Sequence, residues 1–299
     1  MFNQYTNKQY KFNFTKLFPK AKLISIILII ITIISLVSTG LNKGIDFSGG
    51  ILMEIRFDKT VILNDIRKTF EQNNIEEISI QNFGSDKDII LRLKNYNNGE
   101  VASSVVERIK SIINIYDSNY TMRRSEFVGP TISSELLQKG IMALLISFAA
   151  ILLYITLRFN FSFGLGAVIA LIHDIILSFG FYSIFQIEFN LTSIAALLTI
   201  IGYSINDSVV IFDRIRENMR KYKSLAIEEI LNRSINENLV RTILTSATTL
   251  LALISLAVLG GSVLKSFSLG VLFGVVIGTY SSVFIASPIL QNSNKARFT

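Results

Sequence analysis

Six blocks of apolar residues, each about as long as a bilayer is thick, constrain this chain more than anything else in it. They run roughly over 21–38, 136–157, 161–185, 191–212, 243–259 and 267–290. A helix needs about 20 apolar residues to cross the hydrocarbon core. Charged residues make up 17% of the chain, against about 25% in a soluble domain, and the apolar excess is concentrated in the blocks. The first block follows Lys16, Lys20 and Lys22 and precedes the small residues Ser38, Thr39 and Gly40, so a cleaved signal peptide is one reading. Its apolar run is long for a signal core and no A-x-A-like site follows, which favours a retained anchor.

The charges between the blocks set a topology. Lys8, Lys11, Lys16, Lys20 and Lys22 precede the first span, Arg158 lies between the second and third, and Lys295 and Arg297 follow the sixth. Between spans four and five come Arg214, Arg216, Arg220, Lys221, Lys223, Arg233 and Arg241, whereas the alternate short loops hold only Lys265. The positive-inside rule then puts both termini in the cytoplasm. The expected layout is a cytoplasmic N-terminus over 1–20, a first transmembrane helix over 21–40, and an extracytoplasmic domain over 41–135. Transmembrane helices two to six follow over 136–290, with a cytoplasmic loop at about 213–241, and the tail is 291–299. Residues 41–139 carry 13 basic and 14 acidic groups, so the net charge of +7 comes from the rest of the chain. It records threading through a membrane and gives no reason to expect nucleic acid as a partner.

The long outer loop reads as a small α+β domain. Ile51, Met53, Ile55 and Phe57 alternate with Leu52, Glu54, Arg56 and Asp58, the pattern of a half-buried strand. Ile62, Ile66 and Phe70 follow at helical spacing. Two strands are expected over 77–83 and 88–94, joined by a turn at Gly84-Ser85-Asp86. Ala102, Val105, Ile109, Ile112 and Ile113 line a second helix, and a weakly patterned last strand is expected over 119–127. The order βαββαβ is that of ferredoxin-like folds, a fold that says little about function by itself.

Ionisable residues inside spans are costly and usually mark a functional path. Asp207 is the sharpest case, in the cytoplasmic third of span four among Ser204, Asn206 and Ser208. Desolvation disfavours its charged form and a nearby cation favours it, so it is a candidate proton relay. Arg241, at the start of antiparallel span five, is the candidate partner, since Asp207 lies only about 10 Å from the exit of its own span. His173 and Asp174 in span three form a possible secondary relay. Helix neighbours do not face each other, however, so their adjacency does not call for a dyad. Asp213 reads as a boundary residue. Gly270, Gly274 and Gly278 form a doubled GxxxG that permits close helix approach. Ile227, Ile230, Leu231 and Ile235 suggest an amphipathic helix in the cytoplasmic loop.

Several chemistries are excluded. With no cysteine and one histidine, the chain has no disulfides, thiolate nucleophile, Cys-based metal centre or HExxH site. Ser204 in Gly202-Tyr203-Ser204-Ile205-Asn206 lacks the last glycine of G-x-S-x-G, and 44–50 is no phosphate loop, because a span precedes it and no lysine follows. Neither an enzyme nor a bound cofactor or metal is expected; protons are the expected coupling ion.

Five stretches carry a family resemblance that extends over nearly the whole chain after about residue 20. Gly44-Ile45-Asp46-Phe47-Ser48-Gly49-Gly50, directly after the first span, resembles the signature shared by SecD and SecF, accessory membrane subunits of the bacterial Sec translocase. The stretch VGPTISSEL at 128–136 is similar to the segment leading into their second span. GYSINDSVVIFDRIREN at 202–218 and NRSINEN followed by RTILTS, within 232–246, resemble the SecF branch, and the small outer domain agrees. The resemblance implies a six-span half bundle like those of RND transporters, with an inserted ferredoxin-like domain, in the bacterial inner membrane. It implies SecD, the Sec channel, YajC and the translocating preprotein as partners, alongside membrane lipid. It also implies use of the proton motive force late in translocation, with the family's proton-transporting Asp and Arg falling on Asp207 and Arg241. Asp46, with Gly49 and Gly50, would shape the junction between outer domain and membrane. Two other functions stay open: an RND-type half-transporter for lipids or small molecules, and a passive Sec scaffold.

Overall fold

The computed structural model describes residues 12–75, 78–93, 102–159 and 161–291. In chain order these form a short 3-10 turn and α1 (Phe18–Ser38), α2 (Ile45–Ser48), β1 (Gly50–Phe57), α3 (Leu63–Gln72), β2 (Ile78–Phe83), β3 (Ser85–Leu93), α4 (Ala102–Tyr116) and β4 (Tyr120–Val128). Then come α5 (Pro130–Arg158), α6 (Phe161–Ile184), α7 (Leu191–Lys221), α8 (Ile227–Leu259) and α9 (Gly261–Ser281), which passes through a π-helical turn, Ser282–Ala286, into α10 (Ser287–Gln291). Among the described residues, six helices are long and apolar enough to cross a membrane. The chain divides into two compact units, Lys43–Gly140 and the remainder.

The unit Lys43–Gly140 is the expected βαββαβ domain. Its four strands form an antiparallel sheet in the order β2-β3-β1-β4. Alternate residues of the two central strands, Ile51, Met53, Ile55 and Phe57 with Ile89, Leu91 and Leu93, pack in one core with Ile66 and Phe70 of α3 and Val105, Ile109, Ile112 and Ile113 of α4. Each such side chain contributes roughly 1.5–3 kcal/mol relative to exposure. Two expectations shift. Ile62 is the exposed residue before α3 rather than part of its buried face. β1 is buried on both faces, Leu52 and Glu54 included, because Leu52 meets Ile45 of α2 and Ile90 in a second small cluster. The expected ends of β2 and β3 at Glu77 and Lys94 lie outside the described residues.

The membrane unit has an inner and an outer set of helices. In α6, α7 and the α9–α10 run, 61%, 50% and 56% of the most apolar stretch is buried; in α1, α5 and α8 the shares are 17%, 11% and 17%. Glycines bring the inner helices together. A side chain at Gly270 would overlap Tyr182 of α6, and one at Gly274 would overlap Ile200 of α7. At Gly278 a Cβ would sit 3.1 Å from that of Ser204. The doubled GxxxG is thus the seam along which α9 lies against α6 and α7.

The stretch 213–241 contains far less loop than its polarity suggests. α7 runs on to Lys221 and α8 starts at Ile227, leaving only 222–226 between them. Ile230, Leu231 and Ile235 are buried with Phe212 and Ile215, so the amphipathic segment is the first part of α8 packed on the end of α7. Polar contacts hold the pair: Glu237 accepts from Arg214 at 2.7 Å, Asn218 at 2.8 Å and Arg233 at 2.9 Å. The segment before α1 is tied to α8 as well, through Thr15 N–H to Asn232 Oδ1 at 3.0 Å and Asn236 Nδ2 to the Phe12 carbonyl at 2.8 Å.

Candidate functional site

Two buried carboxylates stand in the inner helices, and their surroundings differ. Asp174 of α6 is 1% exposed and fully engaged. Its Oδ2 accepts from Ser204 of α7 at 2.5 Å and from Ser281 of α9 at 2.6 Å. Its Oδ1 lies 2.9 Å from His173 Nδ1. The other ring nitrogen, Nε2, is 3.2 Å from Ser25 Oγ of α1. Ser25 Oγ in turn is 2.9 Å from Tyr280 Oη, which donates to the Ala21 carbonyl at 2.7 Å. A polar chain therefore crosses α1, α6, α7 and α9 inside an apolar bundle.

Sequence adjacency gave no reason to expect His173 and Asp174 to pair, yet they do. A carboxylate sealed from water needs every donor within reach, and the imidazole of the preceding residue supplies one. Ser204 donates to Asp174 and not to His173, which is not the order of a nucleophile and its base.

Asp207 is one turn beyond Ser204 on α7. It is 5% exposed, and its Oδ2 is buried without a hydrogen-bond partner among the described residues. No ion pair joins it to Arg241; the guanidinium is exposed on α8 and its charge acts on Asp207 only through space. Elsewhere between α7, α8 and α9, Ser246 bonds Thr279 at 2.7 Å and accepts from Tyr203 at 3.3 Å. Asp213 forms a half-exposed pair with Arg158 at 3.4 Å, as a boundary residue would.

The motif at 44–50 is structured. α2 caps itself through Gly49 N–H to the Ile45 carbonyl at 2.9 Å, and Gly49 and Gly50 take φ of 69° and 122°, which suits residues without a Cβ. A Cβ on Gly49 would lie 3.4 Å from the Val128 carbonyl and 3.5 Å from Ser133 Oγ. The GG turn thus meets the VGPTISS stretch at the start of α5, and Asp46 sits in the first turn of α2.

Ser25, Tyr280 and Ser281 escaped sequence reasoning. For Ser281 a signal existed: it follows Gly278 by three residues and so extends the glycine row that marks the buried face of α9.

Such a six-helix bundle, with paired and unpaired carboxylates buried among its inner helices and a ferredoxin-like insert after the first, is that of a multi-pass membrane protein. The family model "Protein export membrane protein SecD/SecF, C-terminal" matches residues 108–296, and the "SecD/SecF GG Motif" matches 34–61. The chain belongs to the SecD/SecF family. Protein translocase subunit SecF of Rickettsia bellii is 50% identical over 266 residues, which is 88% of each chain, and that of Rickettsia rickettsii is 49% identical over 88% of this chain and 86% of its own. It is a SecF-type member of the family. The crystal structure of SecDF, a translocon-associated membrane protein from Thermus thermophilus, superposes with a TM-score of 0.83 at 36% identity. That match covers 94% of this chain and 38% of the Thermus chain.

Proposed function

We propose that this chain is the SecF half of a SecD–SecF pair in the bacterial inner membrane, with both termini cytoplasmic and the unit Lys43–Gly140 outside. In this reading the pair works with the Sec channel and YajC and uses the proton motive force to assist late steps of preprotein translocation. The SecDF of Thermus supports SecD as the partner, since this chain covers 38% of that longer chain.

The observation that carries the proton reading is Asp207 Oδ2, buried in the bundle with no hydrogen-bond partner among the described residues. A buried carboxylate oxygen of this kind is stabilised by a proton, by Arg241 in a repacked bundle, or by a group from a second subunit. Protonation from outside would weaken its attraction to Arg241, and release inside would restore it. Such coupling needs two bundle states that the proton biases differently. Asp46, Gly49 and Gly50 would shape the head of the outer unit.

The test is Asp207→Asn, expressed with SecD and assayed in vesicles for proton flux and proton-driven export. One proton moving through 100 mV is worth about 2.3 kcal/mol, a factor of about 50 in rate. Both readouts are expected to fall by that order. Export at the normal rate would refute the relay, and export that is intact without any proton flux would point to a scaffold.

A further inference from the structure

Donor and acceptor capacities along the polar path from Ala21 to Asp174 constrain its protons. A peptide carbonyl only accepts, so the 2.7 Å contact between Tyr280 Oη and the Ala21 carbonyl uses the single phenolic proton. The 2.9 Å contact between Tyr280 Oη and Ser25 Oγ must then use the proton of Ser25. Ser25 has no second proton, so its 3.2 Å contact with His173 requires a proton on Nε2. One more proton lies in the 2.9 Å contact between His173 Nδ1 and Asp174 Oδ1. Asp174 Oδ2 contributes none, because Ser204 and Ser281 both donate to it.

We propose that the His173–Asp174 dyad is a proton-binding site, held here in its loaded state, and that Ser25 reports its occupancy to α1 and α9. Loaded, the dyad holds two protons over Nε2, Nδ1 and Oδ1 and is neutral overall, which suits a site 4% and 1% exposed. Unloading sends one proton to water. Nδ1 keeps its proton and donates to the Asp174 carboxylate, leaving Nε2 bare. A bare nitrogen needs a donor, so the Ser25 hydroxyl turns from Tyr280 to Nε2 and the α1–α9 bond between Ser25 and Tyr280 breaks. Ser281 lies directly before the π-helical turn Ser282–Ala286, and π-turns are frequent at functional sites. The element next to the dyad is thus the least regular part of the inner helices.

Few other titratable groups face the dyad. Tyr280 stands on α9 with its ring 6.0 Å from that of His173. Asp207 lies one turn beyond Ser204 on α7, with Arg241 acting on it from α8. α1 carries no charged residue after Lys22, which is exposed. Nothing in this inference depends on a role for Asp207, and the two can fail separately: export reports one, the ring nitrogens of His173 report the other.

His173 is the chain's one histidine, so 15N-histidine labelling of the full chain, purified without a histidine tag and placed in lipid bilayers, gives a spectrum of this site alone. At pH 7, Nε2 is expected to be protonated. Raising the pH is expected to convert it, in one step, to a bare Nε2 with Nδ1 still protonated. Tyr280→Phe takes away the acceptor that holds Ser25 in its loaded orientation. Because a hydrogen bond contributes about as much as one pH unit, the transition should move down by about one unit. A bare Nε2 at pH 7 would overturn the assignment, and an Nε2 protonated throughout to pH 10 would show a structural pair that exchanges no proton. A transition unmoved in Tyr280→Phe would remove Ser25 as the reporter. Should that variant fail to fold, the wild-type nitrogen states decide whether the dyad binds the proton.

Discussion

The inner helices α6, α7 and α9 and the outer helices α1, α5 and α8 reverse the rule of soluble proteins. The outer three are the more apolar, yet 11–17% of their most apolar stretch is buried, against 50–61% for the inner three. Lipid tails are as apolar as leucine, so burial in a bundle is not driven by hydrophobicity. It is driven by close packing and by polar groups that hydrocarbon would leave unsatisfied. Glycines, serines, His173, Asp174 and Asp207 accordingly sit inside, and isoleucines and leucines face outward. Within the inner set the two aspartates differ again: this chain satisfies Asp174 completely and leaves Asp207 with an orphaned oxygen.

Substitutions in the inner and outer helices should have unequal effects. The largest effect should come from Asp207→Asn, about 50-fold on proton-driven export in vesicles with SecD, while thermal unfolding in detergent stays unchanged or shifts slightly upward, since an unpaired buried charge is removed. A clear loss of stability would mean that Asp207 is already paired. Next is Gly274→Leu, which drives a side chain into Ile200 and should cost about 3 kcal/mol or more. Its outer counterpart, Ala252→Leu on the exposed face of α8, should change the isolated chain by less than about 0.5 kcal/mol; equal losses would erase the inner–outer distinction. Asp174→Ala strands His173, Ser204 and Ser281 and should cost about 2–3 kcal/mol, read as a lower unfolding midpoint. Smallest is Arg158→Ala, which breaks a half-exposed ion pair with Asp213 worth less than about 1 kcal/mol.

Much of this was legible in the sequence because periodicity and length carry it. The six spans needed only block length, and the βαββαβ order needed only the alternation of Ile51–Phe57 and the helical spacing of Ile109, Ile112 and Ile113. The glycine row predicted a close helix contact without naming the other side. What misled was local polarity. Residues 213–241 look like loop because they are charged, but α7 and α8 continue through them as paired helices beyond the apolar stretch. Adjacency alone did not call for His173 and Asp174 to meet, because spacing describes backbone directions, whereas a buried carboxylate recruits any donor that reaches it.

The sequence by itself determined the number of spans, the inserted fold, the family and which ionisable residues lie at membrane depth, since each follows from local pattern or from motifs. Only the tertiary structure decided which of those residues are satisfied. Asp174 draws its donors from positions 173, 204 and 281, and the chain reaching it runs through 25 and 280. Hydrogen bonds act over about 3 Å, and no one-dimensional pattern brings five such distant positions within that range.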